Sequence, residues 1–318
     1  MSTSHHDHDH ASLPPGRLDE VSDGVFAWVQ PDGSWFINNC GALVGTDGVV
    51  SIDTCATERR MRGFLDAVGA VTSRPIRTLV NTHHHGDHTH GNSLLPNATI
   101  IAFEQCRAEV IAGGINRYEQ VWPGVDWGEL TLNPPFVTFD DHLTVWVDRP
   151  SGALKVELHY IGGPAHTTND IVAWIPDHRV LFSGDLVFNG GTPFVMMGSI
   201  AGSFAALERL RRFPAEVIVP GHGGVCDMAV LDRLQAYYRF VHETAVAGRA
   251  AGLTPLALAR ETDLGEFAEL LDPERIVGNL HRAYAELDGA APGAKIGLGG
   301  AIADMIAYNG GRPLRCLA

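Results

Sequence analysis

The feature that most constrains this chain is a stretch dense in histidine, from Asn81 to Asn92. It follows the apolar run 76–80, which we expect to be a buried strand, and it holds five of the 16 histidines of the chain. Its core is the pattern His-x-His-x-Asp-His, formed by His83, His85, Asp87 and His88. Residues two apart in an extended loop point the same way, so His83 and His85 can bind one metal ion. Asp87 and His88 point away from that pair and suit a second ion close by. A solvated surface turn is the alternative, and so high a density of ligands directly after an apolar strand argues against it.

Three later apolar runs each end in a glycine-containing turn that carries one more side chain able to bind a metal. These side chains are His166, Asp185 and His222. Strand ends gather at one rim of a sheet sandwich, and loops at such a rim commonly carry function. The glycines allow the sharp turns and close approaches that this needs. One such turn could arise by chance, but three in order after the histidine-rich stretch favour a common metal site.

Together these residues resemble the pattern of the metallo-β-lactamase-fold hydrolases, over roughly residues 20–225. The resemblance implies an α/β fold, an αββα sandwich, and two Zn²⁺ ions per chain. It implies that the first ion is held by His83, His85 and His166, the second by Asp87, His88 and His222, and that Asp185 bridges both. Antibiotic-hydrolysing members often carry Cys or Ser at the bridging position. Asp185 therefore looks more like the thioesterase, lactonase, nuclease and cyclase branches.

The net charge of −14 argues against a nucleic acid substrate, because a polyanion needs a basic surface. Basic side chains cluster only at Arg59, Arg60 and Arg62, and at Arg209, Arg211 and Arg212. Each cluster lies on a predicted helix and is interpreted as a solvated helix face. The expected partner is instead a small molecule with an acyl group, as the thioesterase and lactonase branches imply.

A cytoplasmic protein without a membrane span is expected. No run of about 18 apolar residues occurs, and the first residues lack the apolar core of a signal peptide. The 5 cysteines include no Cys-x-x-Cys pair and are interpreted as reduced thiols. Cys226 is a weak candidate ligand beside His222, and a packed core thiol is the favoured interpretation. A homo-oligomer remains open.

Three parts are expected along the chain: a disordered tail over residues 1–17, a catalytic domain over 18–226, and a helical extension over 227–318 that caps the active site. The tail carries four histidines, His5, His6, His8 and His10, which are interpreted as having no function.

Three features leave alternatives open. Asp53 ends an apolar strand. It either orients the histidine-rich loop 81–92, here called the metal loop, or caps the following helix. Trp122 and Trp127 lie in a long Pro-interrupted connection and either cover an apolar substrate or pack on the core. The segment 190–198 is interpreted as a wall of the substrate pocket, with a loop that covers the core as the alternative.

The expected chemistry is hydrolysis of an acyl group. Two zinc ions that share a water lower its pKa toward ~7, and the hydroxide can attack an acyl carbon. The leaving group is stabilised by the second ion or protonated through Asp87, which is the expected catalytic residue. No Gly-x-Ser-x-Gly motif is present, so no serine nucleophile is invoked.

Segments 182–200 and 309–318 are similar to the zinc-dependent cyclases of bacterial type II aromatic polyketide pathways. The resemblance implies a cyclase/thioesterase that closes a later ring of an aromatic polyketide. The alternatives are a glyoxalase II-like thioesterase or lactonase, a mononuclear iron persulfide dioxygenase, and a non-catalytic metal-binding module. The sequence leaves zinc, iron and manganese open as the native metal.

Overall fold

The computed structural model of the chain describes residues 13–318. The disordered tail predicted for residues 1–17, with its four histidines, therefore falls mostly outside the described residues. A strand that the sequence did not indicate, β1, begins at Arg17.

The first sheet has seven strands in the order β1-β2-β3-β4-β5-β6-β7. Their bounds are Arg17–Ser22, Val25–Val29, Cys40–Val44, Val49–Ile52, Ile76–Val80, Thr99–Phe103 and Val137–Phe139. The first four strands run antiparallel. Short turns join β1 to β2 and β3 to β4, and the longer segment 30–39 joins β2 to β3. The last four run parallel, and a parallel neighbour needs a long crossover connection. These crossovers carry the first three helices, α1 (Glu58–Val71), α2 (Gly86–Thr89) and α3 (Glu104–Gly113).

The second sheet has five strands in the order β12-β11-β10-β9-β8. Their bounds are His142–Val147 (β8), Leu154–Tyr160 (β9), Ile171–Ile175 (β10), Val180–Asn189 (β11) and Val217–Gly223 (β12). The neighbouring strands β8 and β9, and likewise β10 and β11, form antiparallel hairpins. The strands β11 and β12 run parallel and are joined through α4 (Ile200–Leu210).

The two sheets pack face to face, and helices cover their outer faces. The layer between the sheets is apolar and includes Val50 and Ile52 of β4 with Leu158 of β9 and Phe182 of β11. The apolar side of α1 packs on the outer face of the first sheet, and α4 and α5 (Val230–Ala250) belong to the apolar cluster outside the second. Each sheet thus buries both faces, as stacked layers require. The predicted αββα sandwich is confirmed.

Helices alone follow β12. After α5 come α6 (Pro255–Glu261), α7 (Arg275–Leu287) and α8 (Leu298–Tyr308). Leu234 of α5 and Leu280 of α7 belong to the same apolar cluster as Leu181 of β11, so the extension continues the core of the sandwich. The division of the chain at 226/227 stays a prediction. Among residues 13–318, no helix combines the length and the apolar character that crossing a bilayer requires.

Two segments are less regular than their apolar residues suggest. Residues 35–44 form a regular strand only over Cys40–Val44, because Phe36 adopts a left-handed backbone (φ 62°) that ends strand geometry. Residues 264–271 contain only a short 3₁₀ turn, Gly265–Phe267.

The interpretation of Arg60 as part of a solvated helix face was wrong. Arg60 is buried on the inner side of α1. Its Nη1 donates to the carbonyl of Phe36 and to Oδ1 of Asn38, each at 2.7 Å, and its guanidinium lies 5.0 Å from the ring centre of Trp28. Polar periodicity does not distinguish a solvated arginine from one whose planar guanidinium is fully hydrogen-bonded inside.

Candidate metal centre

All seven predicted ligand residues lie together at one rim of the sandwich. His83 and His85 come from the turn after β5, and Asp87 and His88 lie on the short helix α2. His166 lies between β9 and β10. Asp185 and His222 lie within β11 and β12, where the pairing of these strands is irregular around Gly184.

The donor atoms form two groups that share Asp185. Within each group the donor atoms lie within 4.8 Å of one another; the groups are His83, His85, His166 and Asp185, and Asp87, His88, Asp185 and His222. This geometry agrees with the grouping that the family resemblance implied. The metal-binding role of each residue, and the catalytic role of Asp87, stay predictions. Cys226 belongs to neither group.

The ring nitrogens test whether cations fit this cluster. On four histidines Nδ1 faces an oxygen: Oγ1 of Thr82 for His83 (3.1 Å), Oδ2 of Asp53 for His88 (2.8 Å), the carbonyl of Phe194 for His166 (2.5 Å) and the carbonyl of Gly33 for His222 (3.1 Å). Nε2 of His83 and of His88 is buried and has no hydrogen-bond partner among the described residues. Nε2 of His88 lies 3.0 Å from Oδ1 of Asp185, yet without hydrogen-bond geometry. Metal-binding histidines are held this way, with one nitrogen on an oxygen and the other aimed at the ion. The cluster therefore fits two metal ions.

Burial and charge act on these side chains in opposite directions. Burial lowers the pKa of His83 and of His85, so both rings are neutral at pH 7. Burial also opposes a charge on His222, but Asp185 and Asp87 raise its pKa to about 8. Although burial opposes ionisation of Asp185, His222 and His88 hold its pKa well below the usual range. The ionised carboxylates stabilise positive charge within the cluster, and a divalent cation would supply that charge.

Asp53 supports the second group. Its Oδ2 accepts hydrogen bonds from Nδ1 of His88 (2.8 Å) and from Oγ1 of Thr82 (2.7 Å), and its Oδ1 accepts from the backbone N–H of Thr82 (2.7 Å). The cap of α1 is Thr57 instead, whose side chain accepts from the N–H of Arg60. Of the two alternatives for Asp53, the structure therefore supports the one in which it orients the metal loop.

We expect Asp53→Asn to lower zinc affinity about 10–100-fold at the second group and to leave the first group close to wild type. Asparagine tolerates the left-handed backbone of this position (φ 59°), so the fold is retained while the charge that orients His88 is lost. Titration with zinc under a competing chelator, with the zinc count per chain, measures both sites. A loss of zinc affinity at the first group alone, or no loss at either group, would contradict this role of Asp53.

The helical extension supports the first group through His166. The carbonyl of Phe194 accepts from Nδ1 of His166, and the backbone on both sides of Phe194 is held by Asn279 of α7. Oδ1 of Asn279 accepts from the N–H of Val195 (2.9 Å), and its Nδ2 donates to the carbonyl of Pro193 (2.7 Å). A fully buried side chain of the extension thus fixes the backbone that orients a candidate ligand.

We expect Asn279→Leu to lower zinc affinity about tenfold at the first group. We also expect a loss of stability of about 1–3 kcal/mol for each buried group left unpaired. Zinc titration and thermal unfolding of the metal-free chain separate the two effects. The control is Asn309→Leu, a half-buried asparagine of the same extension whose Nδ2 donates to the carbonyls of Arg312 and Pro313. Lower stability with unchanged zinc affinity would show that Asn279 supports the fold alone.

A cavity of about 340 Å³ opens over the cluster. Its floor includes His85, Asp87, His166, Asp185 and His222. Its walls are mostly apolar and come from the sandwich and from the extension: Trp35, Phe36, Tyr118, Trp122, Phe188, Phe194 and Met196, with Leu298, Ile302, Met305 and Leu314. A mostly apolar cavity of this size with a few polar groups on one side is typical of a small-molecule site.

The cavity bears on two of the open alternatives. Trp122 lines the cavity and also packs in the core, whereas Trp127 packs in the core without lining the cavity. Segment 190–198 also lines it, through Phe194, Met196 and Met197.

Sequence reasoning missed the residues that the extension contributes, among them Arg275 and Leu314. A buried arginine at the start of an amphipathic helix resembles an ordinary surface arginine in sequence, so no local signal marks it.

Comparisons with known proteins agree with this fold and site. A family model described as "Metallo-beta-lactamase superfamily" matches residues 33–222. The chain is 29% identical over 214 residues to the 2,4-dinitroanisole O-demethylase subunit alpha of Nocardioides sp. strain JS1661, which covers 65% of this chain and 55% of that protein. It is 30% identical over 144 residues to the hydroxyacylglutathione hydrolase of Rhodospirillum rubrum, and the match covers 45% of this chain and 46% of that protein. It is 26% identical over 247 residues to the acyl-coenzyme A thioesterase MBLAC2 of Bos taurus, with 69% and 85% covered. The chain spans about half the length of the first two of these relatives.

A solved structure, the metallo-beta-lactamase from Pontibacter korlensis, has a similar fold. Its TM-score is 0.58 at 20% identity, and the match covers 70% of this chain and 99% of that one. At this identity the likeness concerns the fold alone.

Proposed function

This chain belongs to the metallo-beta-lactamase superfamily, and from that premise we propose that it is a hydrolase with two zinc ions that cleaves an acyl thioester. The observation that carries the proposal is the pair of donor groups sharing Asp185 at the floor of an apolar cavity. The relatives named as a thioesterase and as a hydroxyacylglutathione hydrolase support an acyl substrate.

Two zinc ions at such a site supply Lewis acidity and a water nucleophile at neutral pH. His83, His85 and His166 would hold the first ion, Asp87, His88 and His222 the second, and Asp185 would lie between them. The apolar walls exclude bulk water from the acyl group, which strengthens every electrostatic interaction at the floor.

Asp87 is the residue that we propose moves a proton. It lines the cavity, and its Oδ2 lies 3.1 Å from Nε2 of His222. Burial opposes its ionisation, but His88 and His222 keep its pKa below the usual range, so it is a carboxylate at neutral pH. In the proposed reaction Oδ2 first accepts the proton of the attacking water and then passes it to the leaving thiolate.

The test combines metal analysis with a substrate panel. The chain is stripped of metal, reloaded with zinc, and offered acyl-coenzyme A esters, S-lactoylglutathione and acyl-homoserine lactones. We expect two zinc ions per chain and thiol release that a chelator abolishes and zinc restores. One iron per chain with oxygen consumption on a persulfide would favour the dioxygenase. Zinc binding without turnover of any acyl substrate would favour a metal-binding module.

A narrower proposal is a cyclase/thioesterase of aromatic polyketides. The two segments that carry the resemblance to such cyclases, 182–200 and 309–318, both contribute to the cavity, through residues such as Phe194 and Leu314. Mass spectrometry of the product from a poly-β-ketone thioester tests it. A product that has lost water through ring closure supports the cyclase, and the open-chain acid supports plain hydrolysis.

A further inference from the structure

We infer that five aromatic side chains of the cavity select a neutral, ring-sized acyl group, an inference that rests on the proposed function. We call them the aromatic wall: Trp35, Phe36, Tyr118, Trp122 and Phe194. They lie in the same cavity as the candidate ligands, so whatever they bind is presented to the reacting centre.

The rings of the aromatic wall hold one another. Trp35 lies 5.3 Å from Trp122 and 5.0 Å from Phe194, centre to centre. Trp122 meets Phe36 at 4.7 Å and Tyr118 at 5.6 Å, with the ring planes at 89° and 90°. Edge-to-face contacts at these distances are favourable and keep the rings in place. The wall is therefore preformed and loses little side-chain freedom when a flat ligand binds.

The extension fixes Trp35 and supplies the one arginine of the described cavity lining, Arg275, which is buried. Nε1 of Trp35 donates to Oε1 of Glu274 at 2.7 Å, and the guanidinium of Arg275 lies 4.1 Å from the ring centre. The charge of Arg275 is already paired, since Nη2 lies 2.8 Å from Oδ2 of Asp272 and Nη1 donates to the carbonyl of Thr192 at 3.0 Å. Its Nε is buried and has no hydrogen-bond partner among the described residues. A negatively charged acyl group buried against this wall would lack a free counterion, which is costly.

The charged pair at the outer part of the cavity, Lys295 and Glu109, is accessible to solvent. Lys295 has an 89% exposed side chain, and its Nζ lies 4.0 Å from Oε2 of Glu109. Water screens such a pair, so it contributes little to selection. We therefore place selection at the aromatic wall and not at the Lys295–Glu109 pair.

The experiment compares three thioesters of one thiol, N-acetylcysteamine, with the zinc-loaded full chain. The acyl groups are 2-naphthoyl, 6-carboxy-2-naphthoyl and lactoyl. We expect kcat/KM for 2-naphthoyl to exceed each of the others by at least about tenfold, since small apolar differences in a pocket already give factors of this size. A preference for the carboxylated ring would overturn the inference and assign Arg275 to anion binding. Equal rates, or a preference for lactoyl, would also overturn it while leaving the hydrolase intact.

A matched pair of variants locates the selection. Trp122→Leu is expected to lower the naphthoyl-to-lactoyl ratio at least about tenfold. Trp127→Leu is the control, because the ring centre of Trp127 lies 5.0 Å from that of Phe36 while Trp127 does not line the cavity. This variant should keep the naphthoyl-to-lactoyl ratio of the unmodified chain. If both variants change the ratio equally, the wall is not the selecting surface.

Binding gives a readout that does not depend on turnover. We expect calorimetry with neutral 2-naphthamide to detect binding to the unmodified chain, with and without zinc, and weaker binding to Trp122→Leu. Binding without hydrolysis of any thioester would support the wall and overturn the proposed function. Hydrolysis of the lactoyl thioester without binding of 2-naphthamide would overturn the inferred role of the aromatic wall alone. If neither hydrolysis nor binding is detected, both the role of the wall and the proposed function are overturned.

Discussion

Replacing Asp185 by asparagine is expected to remove at least one metal ion per chain and to lower kcat/KM on the best thioester by about 1,000-fold. A loss of that size corresponds to ~4 kcal/mol of transition-state stabilisation, since each ~1.4 kcal/mol is a factor of ten. Lewis-acid stabilisation by a metal ion is worth several kcal/mol, so losing an ion accounts for it.

The physical reason is the position of Asp185 between the two donor groups. Its Oδ2 lies 3.3 Å from Nε2 of His166 and 3.4 Å from Nε2 of His222. Its Oδ1 is buried and has no hydrogen-bond partner among the described residues. An asparagine keeps the shape, but it loses the negative charge and one of the two acceptor oxygens.

The measurement is the metal content by mass spectrometry together with thioester turnover. His85→Ala should act in the same direction, because it removes a donor from the first group. The controls are Asp141→Asn and His142→Ala, whose side chains are 79% and 70% exposed in the intact chain. Two zinc ions per chain and wild-type turnover in Asp185→Asn would end the proposed metal mechanism.

The donor set could be predicted because metal ligands are rare residue types at fixed spacings. His83 and His85 lie two apart in one loop, and each later donor follows an apolar run that forms a strand. The resemblance to the metallo-β-lactamase-fold hydrolases then implied a sandwich that brings these strands to one rim. The prediction therefore combined a local pattern with a family resemblance.

The support and the substrate walls could not be predicted in the same way. Asn279 reaches the backbone around Phe194 from α7, about 85 positions away in sequence, and nothing in its own neighbourhood shows that contact. The interpretation of Arg60 as solvated was wrong for the same reason, because its hydrogen-bond partners Phe36 and Asn38 lie on a different segment of the chain. Contacts between distant segments are set by tertiary packing, which periodicity within one element does not report.

A second large effect is expected from a single methyl group, in Gly221→Ala. A β-carbon at Gly221 would lie 1.9 Å from Oδ1 of Asp185 and 2.7 Å from the carbonyl carbon of Gly184. The backbone of Gly221 is itself held, since its carbonyl accepts from the N–H of Asn39 at 2.7 Å. The carboxylate of Asp185 must therefore move out of the space between the two donor groups.

We expect Gly221→Ala to lose metal nearly as completely as Asp185→Asn, although every candidate ligand is still present. Crowding of this kind also costs about 1–3 kcal/mol of stability. The matched control is Gly224→Ala, where the nearest atom to the added carbon is Nδ2 of Asn189 at 3.8 Å, so metal content and stability should stay at wild type. Metal content, turnover and chemical unfolding of both variants measure the difference. If Gly221→Ala keeps two metal ions and full turnover, then the position of Asp185 between the two groups does not matter, and the shared-carboxylate centre proposed for this chain is wrong.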